Sequence, residues 1–366
     1  MAEIPDEAEL QRLGLYDPSA PYPEDRLRLL GHVFELGASV EQAVRASRIG
    51  GLGSLSLDLS IRPPGEAYGL DDFAELSGLD PRAVRRLWLA LGLPVSGPIP
   101  LEVTPDAAEA LRLFAGFSAM VGEDSALGVT RVVGSSVARM AEAVVNALRI
   151  GVEVPSLKGG SGYSKVTADF TTVARDLLPR FLDAVNAVLR RHLVLVAYQM
   201  WSTDEDVAAV TRRLSIGFAD MIGSTEAVRA GSVAGLAQMV RQFEELVWDV
   251  VTGAGGRVVK LIGDEAMFVF DEPAQACQVA LDLLELSPYP VRVGLAHGAV
   301  VGLFGDYYGE TVNLAARLVG VAAGETALVS DEVRRASADA FSFEPQPARS
   351  LKGFDEPIDT YRLRGP

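Results

Sequence analysis

Apolar residues recur at helical spacing from about residue 24 to residue 200, whereas beyond residue 210 several segments alternate or run apolar in the manner of strands, so two structural classes follow one another along the chain. In the first part the pattern predicts helices over Asp25–Leu36, Val40–Ser47, Asp71–Ser77, Pro81–Leu91, Pro105–Val121, Val129–Ile150 and Ala168–Trp201. Thr104-Pro105 and Asp80-Pro81 each place a capping side chain just before a proline at the first helical position. Gly50-Gly-Leu-Gly53, Pro94–Pro100 and Pro155–Gly162 divide the helical run into lobes, and Pro179 is expected to interrupt the last helix and leave Arg180–Trp201 as a connecting segment of its own. After a polar junction, Ser202-Thr-Asp-Glu-Asp206, the order becomes strand (Leu214–Asp220), helix (Val233–Thr252), hairpin (Arg257–Phe270), helix (Pro273–Leu286), strand (Val291–Ala299), helix (Glu310–Val321) and shorter elements ending in Asp359–Leu363. The expected organisation is a helical domain over residues 1–201, a linker over 202–211 and a mixed α/β-patterned domain over 212–366.

A chain of 366 residues is long enough for two domains, each with a full hydrophobic core. Cys277 is the single cysteine, which excludes an intramolecular disulfide and a cysteine-based zinc site and points to a reducing compartment. Its plain role is that of a small buried hydrophobe in the helix around Ala274–Leu284. A formal net charge of -16 argues against a nucleic-acid surface, because such affinity comes mainly from neutralising phosphates with Lys and Arg. The N-terminus is acidic from the start, with no signal-peptide pattern, and the apolar stretch His192–Trp201 falls far short of the roughly 20 residues of a membrane span. A soluble cytoplasmic protein is the expectation.

The candidate chemistry lies in the second part. Leu214-Ser-Ile-Gly-Phe-Ala-Asp220 and Val258-Val-Lys260-Leu-Ile-Gly-Asp264 each bring a lone carboxylate to the end of an apolar strand, a costly arrangement unless something compensates the charge. Paired carboxylates on neighbouring strand ends suit Mg²⁺ bound against phosphates, and Gly263 supplies the turn that lifts Asp264 to the rim. Gly305-Asp306-Tyr-Tyr-Gly-Glu-Thr-Val-Asn313-Leu-Ala-Ala-Arg317 opens a helix on which Asn313 and Arg317 stand four residues apart, on one face. An amide and a guanidinium facing a common cleft fit a ribose oxygen and a charged phosphoryl transition state.

With these motifs, residues of about 210–364 resemble the catalytic domain of class III nucleotide cyclases. The resemblance implies an α+β chain in which the N-terminal all-helical domain is followed by a ferredoxin-like βαββαβ palm, working as a head-to-tail homodimer with active sites at the subunit interface. It implies that Asp220 and Asp264 bind two metal ions, Mg²⁺ or Mn²⁺, that Lys260 and Asp306 select adenine, that Asn313 orients the ribose and that Arg317 meets the transition state. Lys352, in Leu351-Lys-Gly-Phe354, is similar to the family's triphosphate lysine. Guanylyl cyclases usually carry Glu and Cys at the purine-selecting positions, so Lys260 with Asp306 implies ATP as substrate and 3′,5′-cyclic AMP and pyrophosphate as products. The alternative is a DNA-binding or nucleotide-sensing regulator with an inactive cyclase domain, which predicts missing metal or transition-state residues. Gly-Asp-Glu in a hairpin also occurs in diguanylate cyclases, which lack the Val-Asn-x-Ala-x-Arg helix.

Residues 24–200 carry no catalytic signature, and either scaffolding and dimerisation or regulation suits them. In outline the chain is similar to soluble actinobacterial cyclases with an N-terminal helical regulatory domain, some of them pH-responsive and autoinhibited. His192 follows Arg190 and Arg191 in the connecting helix and is one of three histidines, which makes it a candidate pH sensor beside its plain role as a helix histidine. Asp71–Trp88 has a helix–turn–helix outline with Arg82, Arg85 and Arg86 on its second helix, but an αα-hairpin is the commoner outcome in so acidic a chain. Gly159-Gly-Ser-Gly-Tyr-Ser-Lys165 lacks the Walker spacing and reads as a loop.

Overall fold

The computed structural model describes residues 4–95, 102–200, 211–223 and 233–365. The expected junction Ser202–Asp206, Trp201 and most of Pro94–Pro100 lie outside the described residues. The chain divides into two compact units, Met1–Thr203 and Asp204–Pro366.

The first unit is helical: α1 (Glu7–Arg12), α2 (Pro23–Glu35), α3 (Val40–Arg48), α4 (Leu52–Ile61), α5 (Leu70–Ser77), α6 (Pro81–Ala90), α7 (Pro105–Val121), α8 (Glu123–Leu148), a π-helical turn at Arg149–Glu153, α9 (Val154–Lys158) and α10 (Tyr163–Met200). The helices gather around two cores, one of Leu29, Leu30, Val33 and Leu52, the other of Phe73, Leu87, Trp88 and Leu111. Asp80 caps α6 by accepting the Ala83 amide at 3.1 Å, as its sequence context predicts. Thr104 holds the N-cap position of α7, yet its hydroxyl turns to the Asp106 carboxylate instead of the helix amides.

Three expectations about breaks are corrected. Pro155 opens α9, so the true interruption is Gly159–Gly162, and Gly53 lies inside α4, a helix that the glycine-rich sequence conceals. Pro179 does not divide the last helix; α10 runs unbroken through it. The cost of a missing amide and a ring clash is local. Side chains on both sides of it, Ala174, Leu177, Phe181 and Val185, line one apolar cavity with Leu57 of α4 and Val144 of α8, and this shared packing keeps the helix on a single course.

The helix–turn–helix outline resolves as an αα-hairpin of α5 and α6. Arg85 pairs with Asp71 at 3.6 Å and Arg86 with Glu123, so these guanidinium groups are engaged within the unit. In the Gly159–Lys165 segment, Gly159–Gly162 is the connection as expected and Tyr163–Lys165 is the first turn of α10, where Asp25 of α2 accepts the Ser164 amide at 3.1 Å and its hydroxyl.

The second unit is an α+β layer structure. Strands β1 (Thr211–Met221), β2 (Arg257–Ile262), β3 (Glu265–Phe270), β4 (Val291–Leu303), β6 (Ala327–Ser330), β7 (Phe343–Arg349) and β8 (Ile358–Leu363) form one sheet in the order β2-β3-β1-β4-β6-β8-β7, with the short β5 (Asp306–Tyr308) paired to β4. Helices α11 (Val233–Gly253), α12 (Pro273–Leu286), α13 (Glu310–Val321) and α14 (Asp331–Ser337) complete it. The β1-α11-β2-β3-α12-β4 half is a ferredoxin-like βαββαβ palm, antiparallel throughout β2-β3-β1-β4.

The two faces of the sheet are set by the period of two along each strand. Ala219, Met221, Phe268 and Phe270 point one way, into a core with Phe243 and Val247 of α11 and Cys277 and Leu283 of α12. Burial pushes the Cys277 thiol up to about 12, so it stays a neutral core residue. Leu214, Ile216, Phe218, Met267 and Val269 point the other way, against Ala315, Leu318 and Val319 of α13. Among the described residues no helix is long and apolar enough to cross a membrane.

Candidate active site

The face that carries α13 also carries the candidate chemistry. Asp220 shares the strand parity of Leu214, Ile216 and Phe218; it stands opposite Glu265 of β3 on one side and Arg292 of β4 on the other. The expectation that its carboxylate is unpaired is overturned: Arg292 donates Nε to Asp220 Oδ2 at 2.7 Å, and its Nη2 lies 2.6 Å from the same oxygen. Desolvation of a carboxylate that is only 17% exposed is thus compensated inside the chain. Arg292 also donates Nη1 to the Gly320 carbonyl at 3.2 Å, which ties the group to the end of α13.

Asp264 occupies the β2–β3 turn after Gly263, whose φ of 64° is the left-handed conformation the tight turn requires. The Met221 amide donates to the Asp264 carbonyl at 3.0 Å, which fixes the turn against the end of β1. Asp220 and Asp264 are therefore brought to one rim, as expected. Glu265, next to both, is half-buried; burial, then the Asp220 and Asp264 charges, hold its carboxyl above the usual range. Neither Glu265 nor Arg292 was singled out from sequence. The signal for them is the pairing register, which places both directly across from Asp220.

Lys260 and Asp306 meet on the same face. The Lys260 ammonium donates to Asp306 Oδ2 at 2.6 Å, while Asp306 Oδ1 accepts the Tyr307 amide at 2.8 Å. Lys260 pairs in register with Met267, two residues from Glu265, and its charge acts to lower the Glu265 pKa.

Asn313 and Arg317 stand on the exposed side of α13, opposite the buried Thr311, Ala315 and Leu318. The close seating of this helix depends on Gly294 of β4: a Cβ there would lie 2.3 Å from the Val319 nitrogen and 2.5 Å from the Ala315 carbonyl oxygen. Arg317 donates Nε to the Lys352 carbonyl at 3.3 Å, and the Lys352 side chain is exposed, with Leu351 buried beneath it in the same core as α13. One chain thus gathers Asp220, Asp264, Lys260 and Asp306 on its sheet face and presents Asn313, Arg317 and Lys352 to solvent.

Two carboxylates on adjoining strand ends fit the donor set of Mg²⁺ or Mn²⁺. No group of three His, Cys, Asp or Glu side chains able to hold a metal occurs among the described residues; Mg²⁺ in general takes only one or two carboxylates, with water and phosphate oxygens besides.

Residues 207–365 match the family model for the adenylate and guanylate cyclase catalytic domain. An adenylate cyclase of Streptomyces coelicolor is 33% identical over 263 residues, 70% of this chain and 68% of its own length. The chain belongs to the adenylate and guanylate cyclase family.

The resemblance of this cyclase extends to its helical half. An uncharacterized protein of Mycobacterium tuberculosis is 35% identical over 347 residues, covering 93% of the cyclase chain and 91% of its own. A pH-sensitive adenylate cyclase of the same organism is 32% identical over 163 residues, 42% of this chain and 41% of its own. Of the three histidines, His32 and His192 belong to the helical unit and His297 to the second. His192 is exposed on α10. His32 of α2 bonds through Nε2 with the Thr171 hydroxyl of α10 at 3.2 Å, and His297 Nδ1 with the Ser215 hydroxyl at 3.0 Å on the opposite sheet face.

Proposed function

We propose that this cyclase is an adenylyl cyclase, converting ATP to 3′,5′-cyclic AMP and pyrophosphate as a homodimer with sites shared between subunits, under control of its N-terminal unit. The Lys260–Asp306 ion pair carries the substrate assignment. An adenine 6-amino group donates a hydrogen bond and ring nitrogens accept one, so a carboxylate beside an ammonium matches adenine, whereas the 6-oxo group of guanine faces Asp306 with an acceptor.

Asp220 and Asp264 would hold two divalent ions, Mg²⁺ or Mn²⁺, which when bound neutralise the triphosphate and acidify the ribose 3′-hydroxyl. Asn313 orients the ribose so that its 3′-oxygen lies in line with the α-phosphorus. Arg317 meets the charge that develops on the phosphoryl oxygens as the bond to pyrophosphate breaks, and Lys352 binds the triphosphate. The Lys352 carbonyl, by accepting from Arg317 Nε, limits the directions the guanidinium can take.

The exposure of Asn313, Arg317 and Lys352 in the single chain supports the homodimer, since these groups become part of an enclosed site when a second subunit covers them. Val301, Leu303, Phe304 and Tyr308 around the β4–β5 hairpin leave apolar surface in solvent, as an interface does. For regulation the support is α10, one helix from Tyr163 to Met200, held at its start by Asp25 and two turns later by His32. His192, near its end, is the candidate pH-responsive group.

The deciding experiment is production of cyclic AMP from ATP by the full chain beside a fragment from about residue 205, with Mg²⁺ or Mn²⁺, at several pH values. Product from both, with a rate that truncation or pH changes, is expected. No product from either under any condition would replace the proposal with a nucleotide-sensing, inactive cyclase domain.

A further inference from the structure

Strand β5 pairs with β4 at one side of the palm, and β2 is its far edge, with β3, β1 and β4 between them. Two contacts nevertheless join β2 to β5. One is the Lys260–Asp306 ion pair; in the other the Arg257 guanidinium carbon lies 5.1 Å from the centre of the Tyr307 ring. The Tyr307 ring is buried in the core that contains Ile216 and Met267, so β5 is laid back over the sheet face.

Residues three apart on a regular strand point to opposite faces. Arg257 and Lys260 share a face only because the β2 register shifts: Arg257 pairs with Val269, Val258 with Phe268, and Lys260 with Met267, which leaves Val259 as an extra residue. Val269 and Met267 belong to the same core, so the bulge returns Arg257 and Lys260 to one side.

The Asp306 carboxylate is directed from both ends. Lys260 holds Oδ2, and the Tyr307 main-chain amide holds Oδ1. A shift of Tyr307 therefore turns the carboxylate itself. We infer that Arg257 and Tyr307 are positioning residues for purine discrimination: stacking of the guanidinium on the ring anchors β5 and so aims the Asp306 carboxylate at the base. This rests on the assignment of Lys260 and Asp306 to the base under the proposed function. A carboxylate aimed at an amino group accepts from it and opposes an oxo group; a carboxylate free to turn away does neither as well.

The test uses the full chain and its Arg257→Gln, Arg257→Lys, Tyr307→Leu and Tyr307→Phe variants. Dissociation constants for 3′-deoxy-ATP and 3′-deoxy-GTP are measured by calorimetry, kcat and KM for ATP and GTP are measured beside them, and circular dichroism and thermal melting verify folding. Arg257→Gln and Tyr307→Leu are expected to lower the ATP-over-GTP binding ratio by about three- to tenfold, the range an aromatic–guanidinium contact supports. The loss should appear in KM for ATP more than in kcat. Tyr307→Phe keeps the ring and Arg257→Lys keeps a cation, and both should retain most of the discrimination. Should Tyr307→Leu fail to fold, the half-buried Arg257→Gln decides. A folded Arg257→Gln protein with the wild-type ratio would overturn the inference, as would Arg257→Lys behaving no better than Arg257→Gln. Wild-type protein that binds ATP in preference to GTP yet forms no cyclic product would overturn the proposed function alone; wild-type protein with no preference would overturn both.

Discussion

Arg292 and Asp220, neighbours across the β1–β4 ladder, share a single carboxylate oxygen through two guanidinium nitrogens at 2.7 and 2.6 Å. The positive charge lies where the chain concentrates negative charge, with Asp220, Asp264 and Glu265 all at the same rim.

Removing that cation should expose the repulsion it offsets. Arg292→Ala is expected to lower the unfolding free energy by about 1–3 kcal/mol, the cost of leaving a partly buried carboxylate without its charged partner. Mn²⁺ should raise the melting temperature of the variant more than that of wild type, because a cation at Asp220 then replaces the lost one. Equal stability with and without Arg292 in chemical denaturation would contradict this account of the rim.

Arg317 has the opposite balance, being exposed on α13 with a carbonyl contact at 3.3 Å. Arg317→Ala should leave the melting temperature within about a degree or two and slow turnover on the order of 10²-fold or more. An Arg317→Ala protein with normal turnover removes the residue from the chemistry.

Shared sites can be separated genetically. Asp220→Ala and Arg317→Ala proteins should each be nearly inactive alone. When mixed and allowed to exchange subunits, they should recover about a quarter of wild-type activity, since half the dimers are mixed and each holds one intact site of two. An inactive mixture, with subunit exchange verified by labelled chains, would sink the shared-site arrangement.

Acid should weaken the fold through His297. Burial, and then the Arg213 charge, depress its pKa, with Glu272 and Glu332 opposing. The unfolded chain therefore takes up a proton first: stability is complete above the unfolded value of about 6.5 and declines as pH falls below it. His32, depressed by burial and Arg175 against Glu35, has the same sign. Denaturation at pH 7.5 and 5.5 should show a smaller loss for His297→Gln than for wild type; an identical loss assigns the effect elsewhere.

Much of the catalytic unit was legible because its signals are local. Helices Pro273–Leu286 and Glu310–Val321 coincide with their predicted bounds, since a proline start in one and the turn before the other mark them within a few residues. Spacing alone put Asn313 and Arg317 on one helix face, and the Gly263 turn put Asp264 at a strand end. Where local signals and packing disagree, as at Pro179 and Gly53, packing prevailed: a single lost amide bond weighs less than the apolar contacts on both sides of the proline.

What the amino-acid sequence determined by itself is therefore the class of each half and most element positions, because periodicity, caps and turn chemistry act over a few residues; the candidate site residues came from their motifs together with the resemblance to class III cyclases. Tertiary structure alone decided what those residues touch. Strand register put Arg292 and Glu265 across from Asp220, and a one-residue bulge at Val259 turned Arg257 and Lys260 to the same face, toward Tyr307 and Asp306. Register is a property of two strands at once: shifting either by one residue reverses every side chain on it, so no single segment contains the answer.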